Sequence, residues 1–224
     1  MKHGGTRVDG SMELLVATLT SLQAGKDIDS IARIRLVFDT ARNAPGVISS
    51  NLYQGRGKQP YYLLLTTWDD ETSWKSAGER HNPQFLLRSS MADLLAGPPQ
   101  QWYMHYLWGY SRATRQPGFA TVHLLTLPPQ QLKRANQECL RYLHQLTLQA
   151  PLTFAFLAYG VSDGPSQFTQ PTSTSNEPQT TLFGLFSWSS PEESEAFFQH
   201  PHTQALGNIL QSLGKLHTLS FEIL

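Results

Sequence analysis

The chain has 224 residues, 40% of them hydrophobic and 11% aromatic, with 17 basic side chains against 17 acidic ones. That composition supplies a buried core and argues against disorder, while zero net charge without a basic stripe argues against a nucleic-acid partner. No apolar run approaches a membrane span, and the one cysteine, Cys139, excludes an internal disulfide and fits a reducing, cytoplasmic setting.

Residues 1–11 are polar, glycine-rich and aperiodic, and read as a frayed tail or cloning remnant. Met12 to Leu22 is the first expected strand. A helix follows from Asp27 to Asn43, with Ile31, Ile34, Phe38 and Ala41 on one face. Asn43-Ala44-Pro45-Gly46 stops it. Val47 to Gln54 and Tyr61 to Trp68 read as strands joined by the turn residues Gly55 to Pro60. Trp68-Asp69-Asp70-Glu71 closes the strand and opens a helical region, broken at Pro83 and ending near Gly97. Gln101 to Ser111 is the fourth strand. The order βαββαβ is the ferredoxin-like arrangement.

Arg112 to Gly118 reads as a linker, after which the same order returns. Phe119 to Leu127 is a strand. Pro128 or Pro129 opens a helix carrying Leu132, Ala135, Cys139, Leu143 and Leu146 on one face, and Pro151 ends it. Leu152 to Val161 and Thr181 to Trp188 are strands. Ser190-Pro191-Glu192-Glu193 has the form of a capping box. His200-Pro201-His202 repeats the break at His81-Asn82-Pro83, and His217 to Leu224 is the last strand. The halves, residues 12–112 and 118–224, differ mainly by a Ser/Thr/Gln/Pro-rich insertion at 162–180, expected to be a flexible loop.

Helices cover one face of a βαββαβ sheet, and the other face needs a partner. The expected fold class is therefore α+β: two ferredoxin-like repeats packed sheet to sheet as one α+β barrel, a pseudo-dimer within a single monomeric chain.

Several short motifs carry a family resemblance. They are Ala44-Pro45-Gly46-Val47 after the first helix, Trp68-Asp69-Asp70-Glu71, and Pro83-Gln84-Phe85, with Trp188-Ser189-Ser190-Pro191-Glu192 and His200-Pro201-His202 in the second half. In these the chain resembles the dimeric α+β barrel superfamily, and within it the antibiotic biosynthesis monooxygenase-like group. Pro151 stands where that group has Pro-Gly. The resemblance implies a pocket between sheet and helices, a small apolar or aromatic ligand, and oxygenation without a cofactor. In such chemistry the substrate becomes an electron-rich carbanion, and the protein supplies an apolar cavity, a hydrogen-bond donor and a base. A non-catalytic ligand-binding or interaction protein is the alternative, and a haem-binding or haem-degrading enzyme a third. Haem-degrading relatives carry their ligating histidine about one helical turn after the Phe of the Pro-x-Phe step. Here that position falls near Ser89 and, in the second half, near Gly207, so a haem site there is in doubt.

Strand alternation sorts the candidate residues. Asn51 and Tyr53 share the more polar face of the second strand and offer donors to an oxyanion. Trp102, Met104, Tyr106, Trp108 and Tyr110 share a face of the fourth strand, where Trp102 and Tyr106 could grip a flat ligand or simply form core. Tyr103 and His105 lie on the opposite face. His105 and His123 are the candidate general bases, because imidazole titrates near neutrality, although a strand histidine is ordinarily a packed residue. His81, His200 and His202 lack companions at metal-ligand spacing and read as turn residues, so no metal is expected. Cys139 reads as a buried small hydrophobe.

Overall fold

The computed structural model describes residues 13–25, 27–56, 60–112, 116–149, 151–163 and 179–224. The chain runs β1 (Leu14–Ser21), α1 (Asp27–Arg42), β2 (Val47–Gly55), β3 (Tyr61–Trp68), α2 (Glu71–His81), α3 (Pro83–Ser90) and β4 (Gln100–Ser111). It continues through β5 (Phe119–Leu127), α4 (Pro129–Gln149), β6 (Phe154–Asp163), β7 (Thr180–Trp188), α5 (Pro191–Gln199), α6 (Pro201–Leu213) and β8 (Lys215–Ile223). In hydrogen-bonded order the strands are β1-β3-β2-β8-β5-β7-β6-β4, closed as a barrel. This is the α+β architecture that the element order predicts. The expected tail at 1–11 lies outside the described residues, as does most of the insertion expected at 162–180.

Among the described residues the chain forms two compact units, one of residues 13–105 with Glu222–Leu224, the other of Tyr106–Val161 with residues 179–221. In the first, β1 pairs antiparallel with β3, from Leu14 opposite Trp68 to Ser21 opposite Tyr61. Ile34, Val37, Leu52, Tyr62, Leu64, Leu87 and Met91 form a core between the helices and this sheet, and Val16, Trp68 and Trp74 form a second. The opposite faces of the strands are buried too, through Leu15, Ala17, Leu63 and Leu65. In the second unit β5 pairs with β7, from Phe119 opposite Trp188 to Leu127 opposite Thr180. Its helices pack on that sheet through Ala135, Cys139, Leu143, Phe197 and Leu210. Leu146, expected on the same helix face, lies outside the described side chains.

Local chemistry sets the helix boundaries. Asp70 caps α2 by accepting from the Ser73 N–H at 2.6 Å, and Ser190 caps α5 by accepting from the Glu193 N–H at 3.4 Å. His200 caps α6 through Nδ1, which accepts from the His202 N–H at 3.3 Å. Gly46 needs its residue type: φ is +89°, and a Cβ there would lie 2.5 Å from the Ser73 side chain. The helical region after Trp68 ends at Ser90, short of the expected Gly97. The Met91 N–H closes the helix on the Leu87 carbonyl, and residues 94–96 dock on the end of β1 through Gln23 N–H to Leu94 O and Ala96 N–H to Ser21 O, both 2.9 Å. Among the described residues no helix is long and apolar enough to cross a membrane.

Candidate functional site

The helix-facing side of the second unit does not pack solid. Strand alternation brings His123 and Leu125 of β5, Leu157 of β6, and Leu182, Gly184 and Phe186 of β7 to one face. Above them α4 contributes Cys139, Tyr142 and Leu143, α5 contributes Phe197 and Phe198, and α6 contributes Thr203, Leu206, Gly207 and Leu210. They enclose a cavity of about 380 Å³, rimmed by the exposed Gln204, Asn208, Gln211 and Thr218. That volume falls within the ~300–1,000 Å³ typical of small-molecule sites, and the apolar lining with few polar groups is typical as well.

His123 is the chemical centre of the cavity. It sits directly opposite Gly184 in the β5–β7 ladder, so no side chain faces it across the strand pair. Phe186 and Phe198 flank the imidazole, with ring centroids 5.5 and 5.2 Å away. Nε2 is buried, and no protein group among the described residues hydrogen-bonds to it. Burial in this aromatic cage disfavours the imidazolium and pushes the pKa down to about 4. The ring is therefore neutral near pH 7. Depending on tautomer, Nε2 either accepts from a hydroxyl or donates to a carbonyl.

Two further groups shape the wall. The Tyr142 hydroxyl bonds the Thr203 hydroxyl, which in turn donates to the Phe197 carbonyl at 2.8 Å. Because Thr203 spends its proton on Phe197, Tyr142 is the donor of the pair, and the relay ties α4 to the α5–α6 junction. Burial raises the Tyr142 pKa, so the phenol stays protonated. The Cys139 thiol is buried and its pKa is pushed up to about 12, which holds it as an unreactive thiol in the cavity wall.

Of the seven residues proposed from sequence, His123 is the one that lines this cavity. Asn51 is exposed on β2, and Tyr53 is buried on the same strand at 3% exposure. Trp102 is buried opposite Ala17 of β1. Tyr103 packs against Trp74 at 5.7 Å, and its hydroxyl accepts from Gln101 at 3.2 Å. His105 is exposed near Glu71. Tyr106 packs edge-on against Phe156 at 5.4 Å. Sequence reasoning passed over Gly184, Gly207, Tyr142 and the Phe186–Phe197–Phe198 cluster. For Gly184 a usable signal was present, since an isolated glycine inside a strand pattern suggests a close approach.

No protein-family model and no curated protein sequence matches the chain. Solved structures do match. An anthrone oxidase-like protein superposes with a TM-score of 0.71 at 11% identity, covering 95% of this chain and 92% of that one. A provisionally named monooxygenase from Fusobacterium nucleatum superposes with a TM-score of 0.66 at 8% identity, covering 95% and 92% of the two chains. This is the monooxygenase-like α+β barrel fold. A ferredoxin-fold protein from Listeria monocytogenes, related to antibiotic biosynthesis monooxygenases, shares it with a TM-score of 0.51 at 11% identity over 94% of this chain and 95% of that one. At such identities the likeness carries the fold, and chemistry has to be read from the residues in the site. The haem-ligand position that the sequence resemblance implied holds no histidine here: neither Ser89 nor Gly207 is one.

Proposed function

We propose that this monooxygenase-like barrel protein binds a small, flat, largely apolar molecule carrying one hydroxyl or carbonyl group in the cavity beneath α4, α5 and α6. The observation that carries this reading is the unpartnered, buried Nε2 of His123 in an otherwise aromatic and aliphatic cavity. A buried polar atom without a partner costs about 1–3 kcal/mol, and a ligand that bonds it recovers that cost. Every lining group belongs to one unit.

The test is a titration with 1-naphthol and with naphthalene, which differ by the hydroxyl alone. Wild-type protein should bind 1-naphthol more tightly. His123→Phe should weaken 1-naphthol by roughly tenfold, the equivalent of one lost hydrogen bond, and leave naphthalene nearly unchanged. Equal losses for both probes would show that His123 contributes shape only.

A second reading is supported by the likeness to an anthrone oxidase-like protein. In cofactor-independent oxygenation, a ring CH₂ and O₂ would give a ring C=O and water. The neutral His123 would take the first proton, and the apolar cavity would hold the resulting carbanion. A base whose pKa is about 4 suits this step only if the substrate anion stays paired with the imidazolium. Oxygen uptake with anthrone, lost in His123→Phe, would support oxygenation. Tight anthrone binding without oxygen uptake would leave the protein a binder.

A further inference from the structure

We infer that Gly207 is the residue that sets which ligands the cavity accepts, by leaving open the stretch of α6 wall against which the bulk of the ligand lies. The inference rests on the binding reading above and goes one step beyond it.

Gly207 stands in the middle of α6, where glycine is the least favourable residue after proline. Three ordinary reasons for a buried or half-buried glycine fail here. Its φ is not positive, since among the described residues positive φ occurs at Gly25, Gly46 and Gly78. It makes no tight backbone approach, because a Cβ built on it would meet no heavy atom within 4 Å. It does not end the helix, which continues to Leu213. What remains is its position: Gly207 lines the cavity.

Gly184 provides the contrast within the same site. A Cβ there would press on the Phe186 ring at 3.1 Å, so packing of the protein's own side chains accounts for it. No such packing accounts for Gly207. The residue puts no side chain into the α6 wall between Leu206 and Leu210, and helix spacing sets it on one face with the exposed Gln204 and Gln211. His123 and Gly207 line the same cavity, so a ligand anchored at His123 and longer than one ring would draw on the space that Gly207 leaves open.

The two consequences pull in opposite directions, which makes the inference easy to test. Gly207→Ala should raise the Tm of the ligand-free protein by ~2–4 °C, since it removes the helix penalty and meets no neighbour. Gly207→Leu should fill the gap. The probes are phenol, 1-naphthol and anthrone, titrated into wild type, Gly207→Ala and Gly207→Leu. Phenol should bind all three proteins alike, while anthrone should lose at least tenfold in affinity in Gly207→Leu and less in Gly207→Ala. An unchanged size profile in Gly207→Leu would overturn the role of Gly207 while leaving the binding site standing. A lower Tm in Gly207→Ala would show that the glycine serves the fold and would overturn the inference too. If wild-type protein bound none of the three probes, the binding reading itself would fall, and this inference with it.

Discussion

The two units use one plan and finish it differently. Matching the strands at Trp68 and Trp188 places Thr18 of β1 where β5 has His123, and Leu64 of β3 where β7 has Gly184. In the first unit Leu64 is 1% exposed and fills the core under the helices together with Tyr62, Leu87 and Met91. Thr18, opposite it, spends its hydroxyl on the Gln101 side chain at 3.4 Å. In the second unit Gly184 carries no side chain, the Phe186 ring packs over it, and the imidazole beside it faces the cavity without a partner. A glycine in the ladder and a polar ring opposite it stand where the first unit has a packed leucine and a hydrogen-bonded threonine. The backbone plan does not change.

The sharpest way to break this comparison is to empty the packed half. Leu64→Ala should cost ~2–5 kcal/mol, since it removes transfer energy and leaves a cavity that the sheet cannot close. Urea denaturation measures it. The new void should bind neither naphthalene nor 1-naphthol with any preference for the hydroxyl, because the neighbouring polar group is already bonded to Gln101. A loss under ~1 kcal/mol would mean that the first unit is as loosely filled as the second, and the contrast would disappear.

The same contrast explains what could be read from sequence. Trp68 and Trp188, the caps at Asp70 and Ser190, and the glycine turn at Gly46 are local signals, and each forms where the sequence places it. The βαββαβ order followed from them. The site was harder because it depends on which face of each strand meets a helix and on what is missing there. His105 and His123 carry the same chemistry in sequence, yet β4 leaves one exposed while β5 sets the other in an aromatic cage. Asn51 and Tyr53 looked like a polar wall, but β2 leaves Asn51 exposed and buries Tyr53. A cavity is an absence of side chains, and a sequence records it only indirectly, as at Gly207, where a Cβ would meet no protein atom within 4 Å.

Acid should expose the difference next. The folded-state pKa of His123 is depressed from 6.5 to about 4, so the unfolded chain binds a proton more readily between those values. The His123 contribution to stability should therefore be constant above pH 7 and fall as pH drops from about 6.5 to 4, by roughly 3 kcal/mol in total. Cys139 and Tyr142, the other titratable groups lining the cavity, have their pKa values raised and do not titrate in that window. His123→Phe should reduce the slope of this part of the profile, leaving the part that comes from His217, whose pKa burial also lowers, and should leave stability near pH 7 equal or higher, since it removes a buried unpartnered nitrogen. A profile that keeps its full slope in His123→Phe would assign the acid sensitivity elsewhere.

The smallest effect isolates one atom. In the first unit the Trp68 indole N–H donates to the Thr66 hydroxyl at 2.9 Å. The matching position before Trp188 is Phe186, and the Trp188 indole nitrogen has no hydrogen-bond partner among the described residues. The ring that cages His123 thus stands where a hydroxyl would otherwise satisfy the tryptophan. Thr66→Val should orphan Trp68 and cost ~1–3 kcal/mol. At residue 186 the order should reverse the usual rule that valine is the better buried residue of the two. Phe186→Thr and Phe186→Val both lose the aromatic ring, but threonine restores the missing bond to Trp188 and should be the more stable by ~1 kcal/mol. If valine is the more stable there, the Trp188 nitrogen is satisfied by something other than a side chain at that position. Among the described residues that line the cavity, His123 Nε2 would then be the buried polar atom without a partner that distinguishes this wall from its counterpart.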